Sequence, residues 1–305
     1  MGYKKKASEI AENLSPFSFE EFENKLYGHS PTKVNLIDYY QNRIDEFERK
    51  KSFSTASNYR LSKKSLLKYS SLINKKLSFD VIRKQFLEDY ESYMIDELGR
   101  SETTVSMYLR ALRTIFNQAI RDGILQPDSY PFGKHKYVIP TGDKVIKSLS
   151  KSQLRLLKDG VPQSSEQVIA KDYWFFSYYA QGMNIKDIAL LKHNDFKQDS
   201  IQYYRAKTKT TGKKKSRLIY VTLNDEMRDF FKKYKSKKEQ VDGYVFPIIS
   251  HSMTAKEQYQ RIRNFTRFIN QHFRSYAQYL GIDEPVSTIG QDIHLQTHLS
   301  IMEQV

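Results

Sequence analysis

Apolar residues recur at helical spacing through most of the chain. Between Val34 and Leu125 the pattern predicts four helices. Leu36, Tyr39, Ile44 and Phe47 mark the first, and Thr55–Leu72 and Phe79–Leu98 give the second and third. Ser101–Ile120 is the clearest. Val105, Leu109, Leu112, Phe116 and Ala119 share one stripe, Ser101 is placed to cap the helix and Gly123 to stop it. Its other face carries Arg110, Arg113 and Arg121. A charged outer face is the norm for an amphipathic helix, so these arginines are as readily a solvated face as a contact surface.

Residues 1–30 alternate polar and aromatic positions (Phe17, Phe19, Phe22, Tyr27) and read as an N-terminal arm. Residues 126–146 hold Pro and Gly without periodicity and predict a linker. A second domain then opens at Lys147-Ser-Leu-Ser, where Ser150 can cap a helix over Lys151–Asp159. Tyr173–Tyr179, almost wholly aromatic, predicts a buried helix, and Ile185–Leu191 another. Ser200–Tyr204 and Leu218–Leu223 are strand-like runs around a basic, Gly212-containing segment, which predicts a β-hairpin. Asn224 is placed to cap a helix reaching Tyr234. Ala255–Leu280 is a long helix with Ile262, Phe265, Ile269, Phe273 and Tyr276 inward and Arg261, Arg263, Arg267 and Arg274 on the other face.

A length of 305 residues suits two domains, each with its own core. Lys and Arg number 50 against 35 Asp and Glu, a net charge of +15, which points to a polyanionic partner, most often nucleic acid. Cysteine is absent, so disulfide scaffolds, cysteine-ligated zinc and thiol catalysis are out. No apolar run approaches the ~20 residues of a spanning helix, and no apolar stretch follows the basic N-terminus, so neither a membrane span nor a secretory signal is expected.

Several segments, in order, resemble a tyrosine recombinase of the phage integrase family. Ser101-Glu-Thr-Thr-Val-Ser-Met-Tyr-Leu-Arg-Ala-Leu-Arg-Thr-Ile-Phe-Asn-Gln-Ala-Ile-Arg-Asp-Gly-Ile-Leu looks like the last helix of that family's core-binding domain. Lys147-Ser-Leu-Ser looks like the start of its catalytic domain. Gly182-Met-Asn-Ile-Lys-Asp-Ile-Ala-Leu-Leu-Lys is similar to its first catalytic motif, and Tyr204-Arg-Ala-Lys-Thr-Lys-Thr to its lysine-bearing hairpin. The resemblance spans roughly residues 10–288. It implies a mainly α protein: an arm (1–30), a four-helix SAM-like core-binding domain (31–125), a linker (126–146), and an α+β catalytic domain with a small β-hairpin (147–288). That last domain would be incomplete at its C-terminus and followed by a divergent tail (289–305).

The chemistry so implied is a transesterification: a tyrosine hydroxyl attacks a DNA phosphodiester and forms a 3′-phosphotyrosyl link. Arginines and histidines stabilise the charge gathering on the phosphate, and a hairpin lysine is the general acid. Bidentate guanidiniums match the geometry of that charge. The resemblance places the lysine at Lys207, with Lys209 as the alternate. The first-arginine position is occupied by Asn184, a departure, because a neutral amide cannot replace a cationic clamp. Asp187 keeps the motif's supporting acid, although a surface charge or helix cap would look the same in sequence. Arg205 to Arg217 holds seven basic residues and no acid. A solvated loop that only touches phosphate would have the same composition. Arg110, Arg113, Arg205, Lys209, Lys213, Lys214 and Lys215 are the expected DNA-binding residues.

No metal, cofactor or membrane is implied. The implied partners are double-stranded DNA and, on it, further copies of the chain. The implied location is the bacterial cytoplasm, at the nucleoid when DNA is bound.

The family's His-x-x-Arg box and nucleophile have no match. No tyrosine follows Tyr279 and no arginine follows Arg274, although Ser287 and Thr288 fit the lead-in to the box. His294 and His298 stand four apart with no third metal ligand in view. In a shifted reading frame, the codons of Thr288–Val305 are compatible with His-x-x-Arg-His-Ser, so the tail is expected to be out of frame. These residues are therefore expected to bind DNA without cleaving it. The alternative is a catalytically silent protein that occupies recombination sites. An RNA-binding protein fits less well, because the aromatic signature of an RNA-recognition sheet is missing.

Overall fold

The structure is a computed structural model. It describes residues 3–14, 22, 35–142, 149–206, 217–236, 243–284 and 286–287. The chain divides into two compact units, Met1–Asp143 and Lys144–Val305.

The first unit is helical: α1 (Tyr3–Glu12), α2 (Leu36–Arg49), α3 (Phe53–Leu72), α4 (Lys84–Ser92, extended by a π-helical turn over Tyr93–Glu97) and α5 (Glu102–Arg121). Asn35 and Asp38 form a capping box at the start of α2, and the Ser101 side chain accepts from the Thr104 amide at the start of α5. Leu36, Tyr40, Leu66, Leu87, Tyr90, Leu109, Leu112 and Phe116 fill the core. The α3 stripe is hard to see in sequence because serines lie on its buried side. Tyr40 Oη and Ser62 Oγ are 2.8 Å apart, and Ser65 Oγ and Tyr90 Oη 2.7 Å, so each buried phenol gains a polar partner. The helix predicted from Phe79 begins only at Lys84. Phe79 and Ile82 are buried ahead of it, in the approach to the helix.

The predicted linker needs correction. Residues 126–142 are not a free connection. Phe132 and Tyr137 are buried in the first core. Phe132 meets Phe116 edge-on at 5.9 Å between ring centroids, and Tyr137 donates its hydroxyl hydrogen bond to Glu91 on α4. Pro and Gly spacing marks a break in periodicity and carries no information about aromatic anchors within the break.

The second unit contains α6 (Lys151–Asp159), α7 (Ser165–Tyr179), α8 (Ile185–Leu190), β1 (Ser200–Tyr204), β2 (Leu218–Thr222), α9 (Asp225–Tyr234) and α10 (Ala255–Tyr279). Its core is aromatic. Trp174 stacks on Phe273 of α10 at 4.6 Å, and Phe176 stacks on Phe230 of α9 at 4.3 Å. Such pairs add about 0.5–1.5 kcal/mol each beyond the area they bury. The aromatic run is the C-terminal half of a longer helix that Ser164 caps. The strands pair antiparallel, with Ser200 opposite Thr222 and Tyr204 opposite Leu218. Ile201, Tyr203 and Val221 face the core, which puts Gln202, Tyr204 and Tyr220 on the outer face.

Candidate functional site

Two features of the second unit converge where β1 ends. After α7 the backbone reverses through Gln181 and Gly182, both left-handed (φ 56° and 75°). Ser177 Oγ donates to the Met183 carbonyl at 2.6 Å and ties the reversal to α7. Asn184 then caps α8, its side-chain oxygen accepting from the Lys186 amide at 2.9 Å. Three residues on, Asp187 is buried, with 5% of its surface exposed. Its Oδ1 accepts from the Ala206 amide at 2.8 Å.

That bond decides between the alternatives left open for Asp187. It is neither a surface charge nor the cap, which is Asn184. Asp187 fastens the end of β1 to α8, and Ala206 is the residue before Lys207. Burial raises the Asp187 carboxyl above the usual carboxylate range, while the Ala206 N–H and the charges of Arg205 and Lys186 oppose the rise. Asp187 thus holds the end of β1, from which the connection to β2 departs.

Lys207, Lys209, Lys213, Lys214 and Lys215 lie outside the described residues, as do Thr288, His294 and His298. Arg205, just past the end of β1, is half-buried, and Arg217, just before β2, is exposed.

Each unit also presents a basic helix face. On α5, Arg110 and Arg113 are exposed, and Arg121 donates to Gln118. On α10, Arg263, Arg267 and Arg274 are exposed along one face, and Arg261 is exposed on the opposite flank. Among the described residues, none of these arginines except Arg121 has a side-chain partner, and no carboxylate neutralises any of them. Lys64 and Lys68 on α3 are further exposed cations that the sequence reading passed over. The serine-rich pattern of α3 had hidden which side faces water. No described helix is long and apolar enough to cross a membrane.

Comparison with known proteins agrees with this layout. Residues 35–137 match the phage integrase SAM-like domain family. The span ends at Tyr137, the aromatic anchor that closes the first core. No curated protein matches the sequence. Among solved structures, the chain is similar to the Tn1549 transposon integrase in complex with a circular intermediate DNA, at 14% identity and a TM-score of 0.53 over 88% of this chain and 87% of that one. It is also similar to a lambda integrase dimer bound to a COC′ core site, at 14% identity and a TM-score of 0.55 over 86% and 85%. A further similarity is to lambda integrase bound to DNA, at 12% identity and a TM-score of 0.54 over 86% and 85%. Residues 35–137 thus match the phage integrase SAM-like domain family, and the chain has an integrase-like fold along most of its length.

Proposed function

We propose that the chain binds duplex DNA at recombination sites of a mobile element, gripping it through phosphates, and that these 305 residues do not cleave it by themselves. The observation that carries the proposal is the unneutralised arginine face on each unit, Arg110 and Arg113 on α5 and Arg263, Arg267 and Arg274 on α10. Arginine without a carboxylate partner is available to phosphate oxygens, and such contacts position a protein on DNA without reading sequence. In this reading Lys207 is the general acid, and Lys209, Lys213, Lys214, Lys215 and Arg205 hold the backbone around it. Asp187 is a positioning residue that fixes the hairpin's root. The solved integrases to which the chain is similar include a dimer on its core site. Self-association on DNA and residence at the bacterial nucleoid form part of the same proposal.

Asn184 favours binding without strand cleavage. Its amide is engaged in capping α8 and carries no charge for a phosphate. Loss of one transition-state contact of this kind costs about 10²–10³ in rate. Two measurements test the proposal. Duplex affinity should fall steeply with salt, as counterion release requires. A suicide substrate carrying the cognate site should trap no covalent adduct. Salt-independent affinity would refute the phosphate grip, and an adduct on any tyrosine of this chain would refute the silence.

A further inference from the structure

The arginine that ends α5 is held differently from the others on that helix. Arg121 lies eleven residues after Arg110, three turns further on and about 16 Å along the axis, so it continues the same outer stripe. Its Nη2 donates to Gln118 Oε1 at 2.6 Å. Gln118 Nε2 in turn donates to Asp122 Oδ1 at 2.7 Å, and Asp122 Oδ2 accepts from the Tyr39 hydroxyl of α2 at 3.1 Å. Tyr39 is buried in the first core, its ring edge-on to Phe79 at 5.7 Å. A chain of hydrogen bonds therefore runs from a core residue out to an exposed guanidinium.

Packing alone does not explain this arrangement. Asp122 is the C-cap of α5, where the helix dipole disfavours a carboxylate. Arg121 is its neighbour in sequence, yet among the described residues the two form no ion pair. The neutral amide of Gln118 stands between them, accepting from one and donating to the other. An ion pair would cancel the arginine's charge, whereas an amide orients the guanidinium and leaves that charge in place. A guanidinium has five N–H donors in a rigid fork, and the bond to Gln118 uses one of them. Burial and the Asp122 carboxylate push the Tyr39 hydroxyl up to about 12, so it remains a donor to Asp122 at neutral pH.

We propose that Arg121 is a third phosphate-binding arginine of the α5 face, and that Gln118, Asp122 and Tyr39 are positioning residues that set its guanidinium before DNA arrives. The proposal rests on the duplex-binding reading and adds a contact, with its support, to that grip. Duplex affinity is measured against salt for the full chain, for R121A, Q118A and Y39F, and for the doubles R121A/Q118A and R121A/Y39F. R121A is expected to bind about tenfold more weakly. Its slope of log affinity against log salt should fall by about 1. Q118A and Y39F keep the phosphate contact and lose only its preorganisation. Each is expected to bind about threefold more weakly, with the slope unchanged. Y39F also keeps the ring and its packing. In the R121A background neither substitution should weaken binding further, because the group they position is gone, whereas independent structural losses would add. Native affinity and slope in R121A, or additive losses in the doubles, would overturn the proposal and leave the duplex grip standing. A native chain that binds no duplex would overturn both.

Discussion

Asn184 and Asp187 stand three residues apart on α8 and do different work. Asn184 ends its reach in a cap, whereas Asp187 is turned inward to the Ala206 amide. Sequence could nominate both positions through the motif, but only burial separates them. An acid three residues into a helix has the same appearance whether it faces water or a strand end. Burial raises the Asp187 carboxyl, so the folded state binds its proton more tightly than the unfolded chain does. The contribution of such a group is fully present below the ordinary carboxylate range near pH 4 and is lost as pH climbs through the raised value. Thermal unfolding measured against pH should show the native chain losing stability over that climb. Asp187→Asn, which cannot titrate, should flatten this part of the profile. Parallel curves for the two proteins would mean that Asp187 titrates as it does in the unfolded chain.

The elements differ in how far their sequence gave them away. α5 and α10 were legible from their apolar stripes, and both carry their arginines on the outer face, as the stripes require. α3 was legible as a helix, but its buried serines blurred which face was which. The hairpin was legible from two short runs of strand formers, but the basic connection between them lies outside the described residues. The α5 face supports a quantitative expectation. If Arg110 and Arg113 each neutralise one phosphate, the R110A/R113A double variant should bind duplex more weakly whatever its sequence. The slope of log affinity against log salt should fall by about 1 for each contact removed. An unchanged slope with normal folding would make that face a solvated surface and nothing more.

Across the whole molecule, the division into two units was legible from the change in pattern, but the end of the first unit was not. Phe132 and Tyr137 look like residues of a Pro- and Gly-containing loop until they are seen to complete the cluster around Phe116. Limited proteolysis should therefore spare residues 127–137, which the buried Pro131, Phe132 and Tyr137 pin to the first unit, and cut beyond Ile139. Early cleavage within 127–137 would show that the anchors do not hold in solution.

The same anchors shorten the leash between the two halves of the grip. A free stretch over 126–146, 21 residues, could reach about 70 Å when fully extended. From Pro140 to Leu149 there are only ten residues, and their reach is about 35 Å. If both units hold DNA as proposed, the second is kept within that reach of the first, at an effective concentration approaching the millimolar range. Avidity can then arise from two weak grips, and it is adjustable through length alone. A flexible insert of some thirty residues after Thr141, touching no DNA-facing side chain, should weaken duplex binding while leaving each unit's own fold and salt response unaltered.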